Sequence, residues 1–243
     1  MQDGLYQFIV GVLDLFLWGG ELVGEENLPR RGPAVFIANH LESTGPIAVA
    51  CSIPLRVYSW VVADMVDEER AAAWLKWDFV ERTLHFKPPT SAWVARRLSR
   101  ITVPFLRSLG CIPVYKGNYD RMVDTLRLSM DVLQQGKFLL VFPEDLLLPA
   151  DPETHMKPFQ RSFARLGEMY NEVTGKRLEF YPLAVHPAGI VMVGEPVTFD
   201  PLNAVGLERH RLKNLLEDTI RSMYLRKEHN GGSEVAALTP QHK

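Results

Sequence analysis

The strongest constraint on the fold is the alternation of short apolar runs with longer helical patterns along the chain. The β-prone runs are Ala34–Ala38, Arg56–Ala63, Cys111–Tyr115, Phe138–Phe142, Leu178–Val185 and Ile190–Val193. The helical patterns are Glu68–Glu81, Trp93–Ser108, Tyr119–Gln134, Arg161–Thr174 and Leu207–Arg226. Strands that alternate with helices favour a sheet whose faces those helices cover. The sequence therefore predicts an α/β fold with a mostly parallel or mixed central sheet flanked by helices.

The chain organises as one domain with two short flanks. Its 243 residues suffice for one large domain or two small ones, and neither an internal repeat nor a linker divides it. We predict a single α/β domain over 23–228, preceded by a separate helix over 1–22. The Asn-Gly-Gly-Ser segment that begins at Asn230 predicts a disordered tail over 229–243.

Composition excludes several classes of protein. A net charge of −2 argues against a general nucleic-acid binder. The two cysteines, Cys51 and Cys111, make no disulfide framework, so a reducing cytosol is expected. No Cys/His cluster has the spacing of metal ligands, so no metal site is predicted. The first residues are acidic rather than basic, which argues against a secretory signal.

The N-terminal stretch is unusually apolar. From Leu5 to Trp18 the only polar side chains are Gln7 and Asp14, and a helix would gather Asp3, Gln7, Asp14 and Glu21 on one narrow stripe. Such a helix is about 20 Å long, which is too short for a hydrocarbon core of about 30 Å. We predict an amphipathic helix that lies in a membrane interface. The alternative is a helix docked on the domain's own core.

A histidine follows the first apolar run. Asn39-His40 comes directly after Ala34–Ala38 and shortly before a second apolar stretch, Pro46–Ala50. Groups at strand ends are where sheets present side chains to ligands, and a histidine pKa of about 6.5 suits proton transfer near neutral pH. A second candidate, Glu144, follows another apolar run as Phe142-Pro143-Glu144. The plain alternative for His40 is a core histidine bonded to backbone.

Seven short segments together resemble the glycerolipid (lysophospholipid) acyltransferase family, the 1-acylglycerol-3-phosphate acyltransferases and their relatives. In family order they are Val23–Pro29, Asn39-His40, Gly110–Lys116, Val141–Glu144 with Met156–Phe159, Tyr181–Val185 and Gly194–Pro196. The order and spacing, over about residues 22–200, make the resemblance more specific than any one segment. Three positions depart from it: Gly45 replaces the Asp of the first motif, Asp145 replaces a Gly, and leucines replace a Thr/Ser-Arg pair.

The resemblance implies an acyltransferase. His40 would act as the general base that takes a proton from a lysolipid hydroxyl, which then attacks a fatty acyl thioester of coenzyme A or acyl carrier protein. Lys116, Glu144 and Asn39 would bind the acceptor. No cofactor is expected beyond the thioester co-substrate, and the partners would be that donor, the lysolipid and the cytoplasmic face of a membrane, where the protein would be peripheral. Lys116 lies in a basic stretch, 96–137, that also fits a solvated face or one toward anionic lipid.

Gly45 leaves His40 without its expected partner. Loss of the equivalent acid in a serine-protease triad lowers kcat by about 10⁴. By residue type the substitutes are Glu42, which is nearest in sequence, and Glu144, Asp145 and Asp64. Two other functions stay open: a non-catalytic protein that binds lipid or acyl-CoA on the same fold, and a thioester hydrolase in which His40 activates water.

Overall fold

The computed structural model of the protein describes residues 20–41, 45–82, 84–115 and 119–237, together with Gly4, Tyr6, Val10, Gly11 and Asp14. For 78, 119 and 227–237 it describes the backbone alone.

The described residues form one sheet of eight strands. The strands are β1 Glu21–Val23, β2 Ala34–Ala38, β3 Val57–Val62, β4 Ile112–Val114, β5 Phe138–Val141, β6 Glu179–His186, β7 Ile190–Val193 and β8 Val197–Thr198. Their order is β1-β7-β6-β2-β5-β3-β4, and β8 pairs with β6. All pairs are parallel except β6 with β7 and β6 with β8. The predicted α/β fold with a mostly parallel, mixed sheet is confirmed.

Six α-helices are described. They are α1 Gly45–Ser52, α2 Glu68–Leu75, α3 Thr90–Leu109, α4 Tyr119–Gln134, α5 Arg165–Thr174 and α6 Val205–Ala237. Short 3-10 helices occur at Glu25–Asn27, Ala63–Val66 and Ser162–Ala164, and Lys76–Glu81 continues α2 as a π-helix.

The central strand β2 explains why the sheet is covered on both faces. All five of its residues are buried, as expected for a parallel strand between two layers. Val35 and Ile37 pack in a core with side chains of α4, α5 and α6. Phe36 points to the opposite core, where it packs with Ala48 and Val49 of α1. The period of two along the strand thus divides the apolar core into two layers.

Helix ends differ from those predicted. The pattern Glu68–Glu81 divides into α2 and the π-helix that follows it. The last helix continues past Arg226 to Ala237, so 229–237 has helical backbone where the sequence predicts a disordered tail. A helix that is already nucleated extends at little cost per residue, which a local Gly-Gly signal does not reveal.

The described N-terminal residues lie against the domain. Tyr6 is 3% exposed and Val10 is buried. The Arg56 guanidinium lies 5.7 Å from the Tyr6 ring centroid, and the Cys51 sulfur lies 3.8 Å from the Val10 carbonyl oxygen. Most of 1–22 is outside the described residues, so the interface helix stays a prediction. Within the described part of the chain, no helix combines the length and the apolar character needed to cross a bilayer.

Candidate active site

The two strongest motif residues meet at one edge of the sheet. His40 follows β2, and Glu144 follows β5. The two strands are parallel neighbours with Ile37 opposite Val141, so their carboxyl ends lie side by side. Open α/β sheets bind their ligands at this edge.

A buried carboxylate joins these strand ends. Glu144 is 8% exposed. Its Oε1 accepts a hydrogen bond of 2.7 Å from the backbone N–H of His40, and its Oε2 accepts one of 3.1 Å from the backbone N–H of Lys157. Hydrogen bonds from N–H groups to a carboxylate are among the stronger ones in proteins. Glu144 therefore fixes the backbone of His40 relative to β5 and to the loop that carries Lys157.

Opposing effects act on the charge of Glu144. Burial raises the pKa of this carboxyl above its usual range. The N–H donors of His40 and Lys157 and the charges of Lys157 and Arg221 work against that rise. The net direction of the pKa shift is upward, because desolvation is the largest of these effects.

Asn39 fixes His40 from the other neighbouring strand. Its side chain is 2% exposed. Its Nδ2 donates to the carbonyl of Val185 at 3.0 Å, and its Oδ1 accepts from the Val185 N–H at 2.7 Å. The amide so continues the β2–β6 ladder one residue past Ala38, which pairs with Leu183. Both of these contacts are with backbone, and the acceptor-binding role of Asn39 stays a prediction.

The His40 side chain is exposed, unlike its anchored backbone. Its imidazole meets the Phe142 ring edge to face, with centroids 5.2 Å apart. A ring in this position is accessible to a substrate and is flanked on one side by an apolar surface. The core-histidine alternative does not describe this residue.

Gly45 begins α1, where its N–H donates to the Leu41 carbonyl at 2.9 Å. A Cβ built at Gly45 would have the His40 carbonyl carbon and the Leu41 Cβ as its nearest neighbours, each at 3.6 Å. These are ordinary contact distances, so packing does not require glycine here.

The possible substitutes for the missing Asp are placed as follows. Glu144 is bonded to backbone, as described above. Asp64 accepts from the Trp74 indole N–H and pairs with Arg70, each at 3.2 Å. Asp145 accepts from the Leu147 N–H at 3.1 Å. Glu42 lies outside the described residues.

Lys116 also lies outside the described residues. The strand that leads to it, β4, is parallel to β3, and β3 is parallel to β5. The carboxyl end of β4, at Val114, therefore lies at the same edge as His40 and Glu144. The neighbouring Tyr115 ring is covered by the Arg121 guanidinium at 3.8 Å from its centroid.

Sequence reasoning missed Glu217, which supports the site from α6. Its Oε2 accepts from the Phe159 N–H at 3.0 Å, and the carboxylate pairs with Lys213 at 2.6 Å and Arg221 at 3.2 Å. It so holds the loop whose Lys157 N–H binds Glu144. The sequence signal that could have identified Glu217 is its position on α6 beside a buried apolar stripe, where Leu216 and Ile220 are 0% exposed.

A surface cavity of about 360 Å³ lies near this loop. It is lined by Asp145, Phe159, Gln160, Arg161, His210 and Lys213. His40 and Glu144 do not line it, whereas Asp145, next to Glu144, and Phe159, whose N–H binds Glu217, do. In the described part of the chain, no three His, Cys, Asp or Glu side chains are grouped in a way that could hold a metal ion.

Comparison with known proteins identifies the fold. No model of a protein family matches the chain, and no curated protein sequence matches it. The crystal structure of the 1-acyl-sn-glycerophosphate (LPA) acyltransferase PlsC from Thermotoga maritima matches with a TM-score of 0.51 and 12% identity, over 91% of this chain and 82% of that one. At this identity the likeness establishes a shared fold.

We expect Glu144→Ala to lower the free energy of unfolding by about 2–6 kcal/mol, since two N–H groups lose their acceptor at about 1–3 kcal/mol each. Glu144→Gln keeps one acceptor oxygen and should lose about half as much. Urea denaturation with an unchanged m-value measures both. Glu153→Ala, at an exposed loop residue, is the control and should lie within about 0.5 kcal/mol of wild type. Equal stability of all four proteins would contradict the anchoring role.

The raised pKa of Glu144 predicts a pH dependence. Above the ordinary carboxyl pKa of about 4.3, the unfolded chain releases this proton while the folded protein keeps it, so ionisation favours unfolding. The stability of the wild type should therefore fall relative to Glu144→Gln as pH rises from that value to the raised pKa, and then level off. Urea denaturation of both proteins at each pH gives the difference in their free energies of unfolding, in which the contributions of the carboxyl groups they share cancel. A difference that grows with pH in favour of the wild type would refute the shift.

Proposed function

We propose that the protein is an acyltransferase that moves a fatty acyl group from a coenzyme A or acyl-carrier-protein thioester to a hydroxyl of a lysolipid. One observation carries the proposal: an exposed imidazole, His40, stands at the carboxyl end of the central strand and has its backbone fixed by Glu144. The fold shared with PlsC supports it.

In the proposed mechanism His40 accepts the proton of the acceptor hydroxyl while the hydroxyl oxygen attacks the thioester carbonyl carbon. The tetrahedral intermediate collapses with cleavage of the carbon–sulfur bond, and the imidazolium returns the proton to the leaving thiolate. The products are an ester and a free thiol. The bonds that Asn39 and Glu144 make to neighbouring backbone hold His40 in place, which lowers the cost of orienting the reactants.

The acceptor would be bound by residues at the same edge. We assign a polar contact to Lys116, which offers a point charge rather than the bidentate fork of arginine. Glu144 and Asn39 would contribute by shaping the floor of the site around His40. The adjacent carboxylates of Glu144 and Asp145 favour an acceptor that presents hydroxyl or amine donors over a phosphomonoester.

The protein would work at the cytoplasmic face of a membrane as a peripheral enzyme. The lysolipid acceptor resides there, and the apolar segment 1–22 supplies a membrane-interface helix. The partner of His40 would be Glu42, the carboxylate nearest to it in sequence.

A second function is favoured by Gly45. A Cβ at this position would meet described atoms only at ordinary contact distances of 3.6 Å or more, so we read the missing Asp as a chemical difference. A protein that binds lipid or acyl-CoA on this fold without transferring the acyl group would need no partner for His40. A thioester hydrolase, with water in place of the lysolipid, is the weaker alternative.

Thiol release from acyl-CoA and acyl carrier protein thioesters, with and without mixed lysolipids, separates these functions. We expect release that depends on the acceptor, and a loss of about 10²–10⁴-fold in His40→Asn, the range that a general base contributes. His155→Asn is the matched control, because His155 is exposed and has a φ of 56° that asparagine also adopts. Release without acceptor indicates a hydrolase. Tight binding without release indicates the binding protein, and either outcome contradicts the transferase.

The partner of His40 can be tested by moving the carboxylate. Glu42→Gln should lower turnover toward the loss of about 10⁴-fold seen when a triad acid is removed. Gly45→Asp in the same protein should recover much of it, since the new Cβ meets no atom closer than 3.6 Å, and Gly45→Asn should not. The measurement is the steady-state kcat of the three variants. Undiminished turnover in Glu42→Gln removes Glu42 from this role.

A further inference from the structure

One exposed surface combines tryptophan with arginine in a way that core packing does not explain. It consists of Trp77 in the π-helix, Leu84 and Phe86 in the following loop, and Trp93, Arg96, Arg97, Arg100 and Ile101 on α3; we refer to it as the aromatic–basic face. Trp77 is 64% exposed, Trp93 63% and Ile101 71%, and Leu84 and Phe86 are each 44% exposed. The other described tryptophans are more covered: Trp60 is buried and bonded to Ser129.

The periodicity of α3 produces this face. Its buried stripe consists of Ser91, Ala95, Ser99 and Val103, spaced four residues apart. Trp93, Arg97, Arg100 and Ile101 fall on the opposite side of the helix. The core contact of α3 is therefore made by this buried stripe. The large apolar side chains on the opposite side of the helix are exposed to solvent.

The charge of the segment is one-sided. From Arg82 to Arg107 the sequence has six Lys/Arg and no Asp or Glu, although the whole chain has a net charge of −2. Arg97 stacks over the Trp93 ring at 5.4 Å. Arg96 and Arg100 form no ion pair with any described carboxylate. A partner with distributed negative charge would complement this segment.

The helical pair that carries the face is connected to the edge of the sheet that carries the candidate site. The 3-10 helix Ala63–Val66 follows the carboxyl end of β3 and leads into α2. Arg107 of α3 donates to the Val66 carbonyl at 2.7 Å and 3.0 Å, which fixes the end of α3 to that edge. The helical pair that carries the face is thus built on the strand ends beside those of His40 and Glu144.

We propose that the aromatic–basic face docks on the surface of a bilayer that contains anionic phospholipid. Trp77 and Trp93 lie at the boundary of head groups and acyl chains, where indole rings are favoured, and Arg96, Arg97 and Arg100 contact lipid phosphates. This contact is additional to any made by segment 1–22. It concerns lipid binding alone and holds whether or not the protein transfers acyl groups.

Flotation with vesicles of phosphatidylcholine, with and without phosphatidylglycerol, tests the proposal. We expect binding to the anionic vesicles that weakens with added salt. Arg97→Gln with Arg100→Gln should reduce the partition coefficient about fivefold for each arginine. The matched control, which also removes two positive charges, is Arg165→Gln with Lys176→Gln, where both residues are exposed; it should bind as wild type does. Equal binding of all three proteins would overturn the proposal.

A local measurement separates this face from the N-terminal segment. Brominated lipids quench tryptophan that enters the head-group region, so they should quench the wild-type fluorescence. Trp77→Phe with Trp93→Phe should lose most of that quenching while melting at the same temperature, since both side chains are exposed. Quenching that is unchanged in the double variant would place the contact elsewhere. A different result would assign the face to a second copy of the chain: the protein does not bind vesicles, and sedimentation shows a dimer that Trp93→Ala dissociates.

Discussion

The carboxylate of Glu144 joins three segments that are far apart in the sequence. It holds the backbone N–H groups of His40 and Lys157 at once, and so it sets the distance between the ends of β2 and β5. Glu217 is a second acid that binds backbone: it accepts from the Phe159 N–H, two residues after Lys157 in the same loop. The two acids described here thus act on backbone: Glu144 on His40 and Lys157, and Glu217 on Phe159. Each of these carboxylates is nearly buried, and the structure offsets that burial with N–H donors and the cations Lys213 and Arg221.

The sequence predicted the parts of this arrangement that depend on local pattern. The apolar run Ala34–Ala38 became a strand, and strand ends placed His40 and Glu144 at one edge. What the sequence did not indicate are contacts whose partners are backbone atoms of distant segments, such as Asn39 with Val185. The short strands β1 and β8 were missed for the same reason. Their two or three residues carry no period, and each exists through pairing with β7 or β6.

Gly45 shows how position and orientation of a base are separate requirements. Anchoring the backbone of His40 determines where its Cβ lies. The tautomer and orientation of an imidazole are instead set by the group that hydrogen-bonds its second nitrogen. In the motif that this segment resembles, that group is an Asp, and a Cβ at Gly45 would meet described atoms only at 3.6 Å or more. The described residues therefore fix the backbone of His40, and the orientation of its ring is a separate matter. The proposed function requires a carboxylate that hydrogen-bonds the second nitrogen of the His40 ring. Glu42, the proposed carboxylate, is therefore important for this function although it lies outside the seven segments that carry the family resemblance.

Under the proposed function, an acceptor in the membrane would give the placement of the aromatic–basic face a physical purpose. The α2–α3 pair is fixed to the strand-end edge through Arg107 and Val66, and Leu147, in the loop after Glu144, is 94% exposed at that edge. Apolar side chains at two points of one edge are costly in water, and a bilayer removes that cost at both. If this edge rests on a lipid surface, a lysolipid needs only lateral diffusion to come within reach of His40. Under the proposed function, an edge that rests on lipid would place His40 where its lysolipid acceptor already resides.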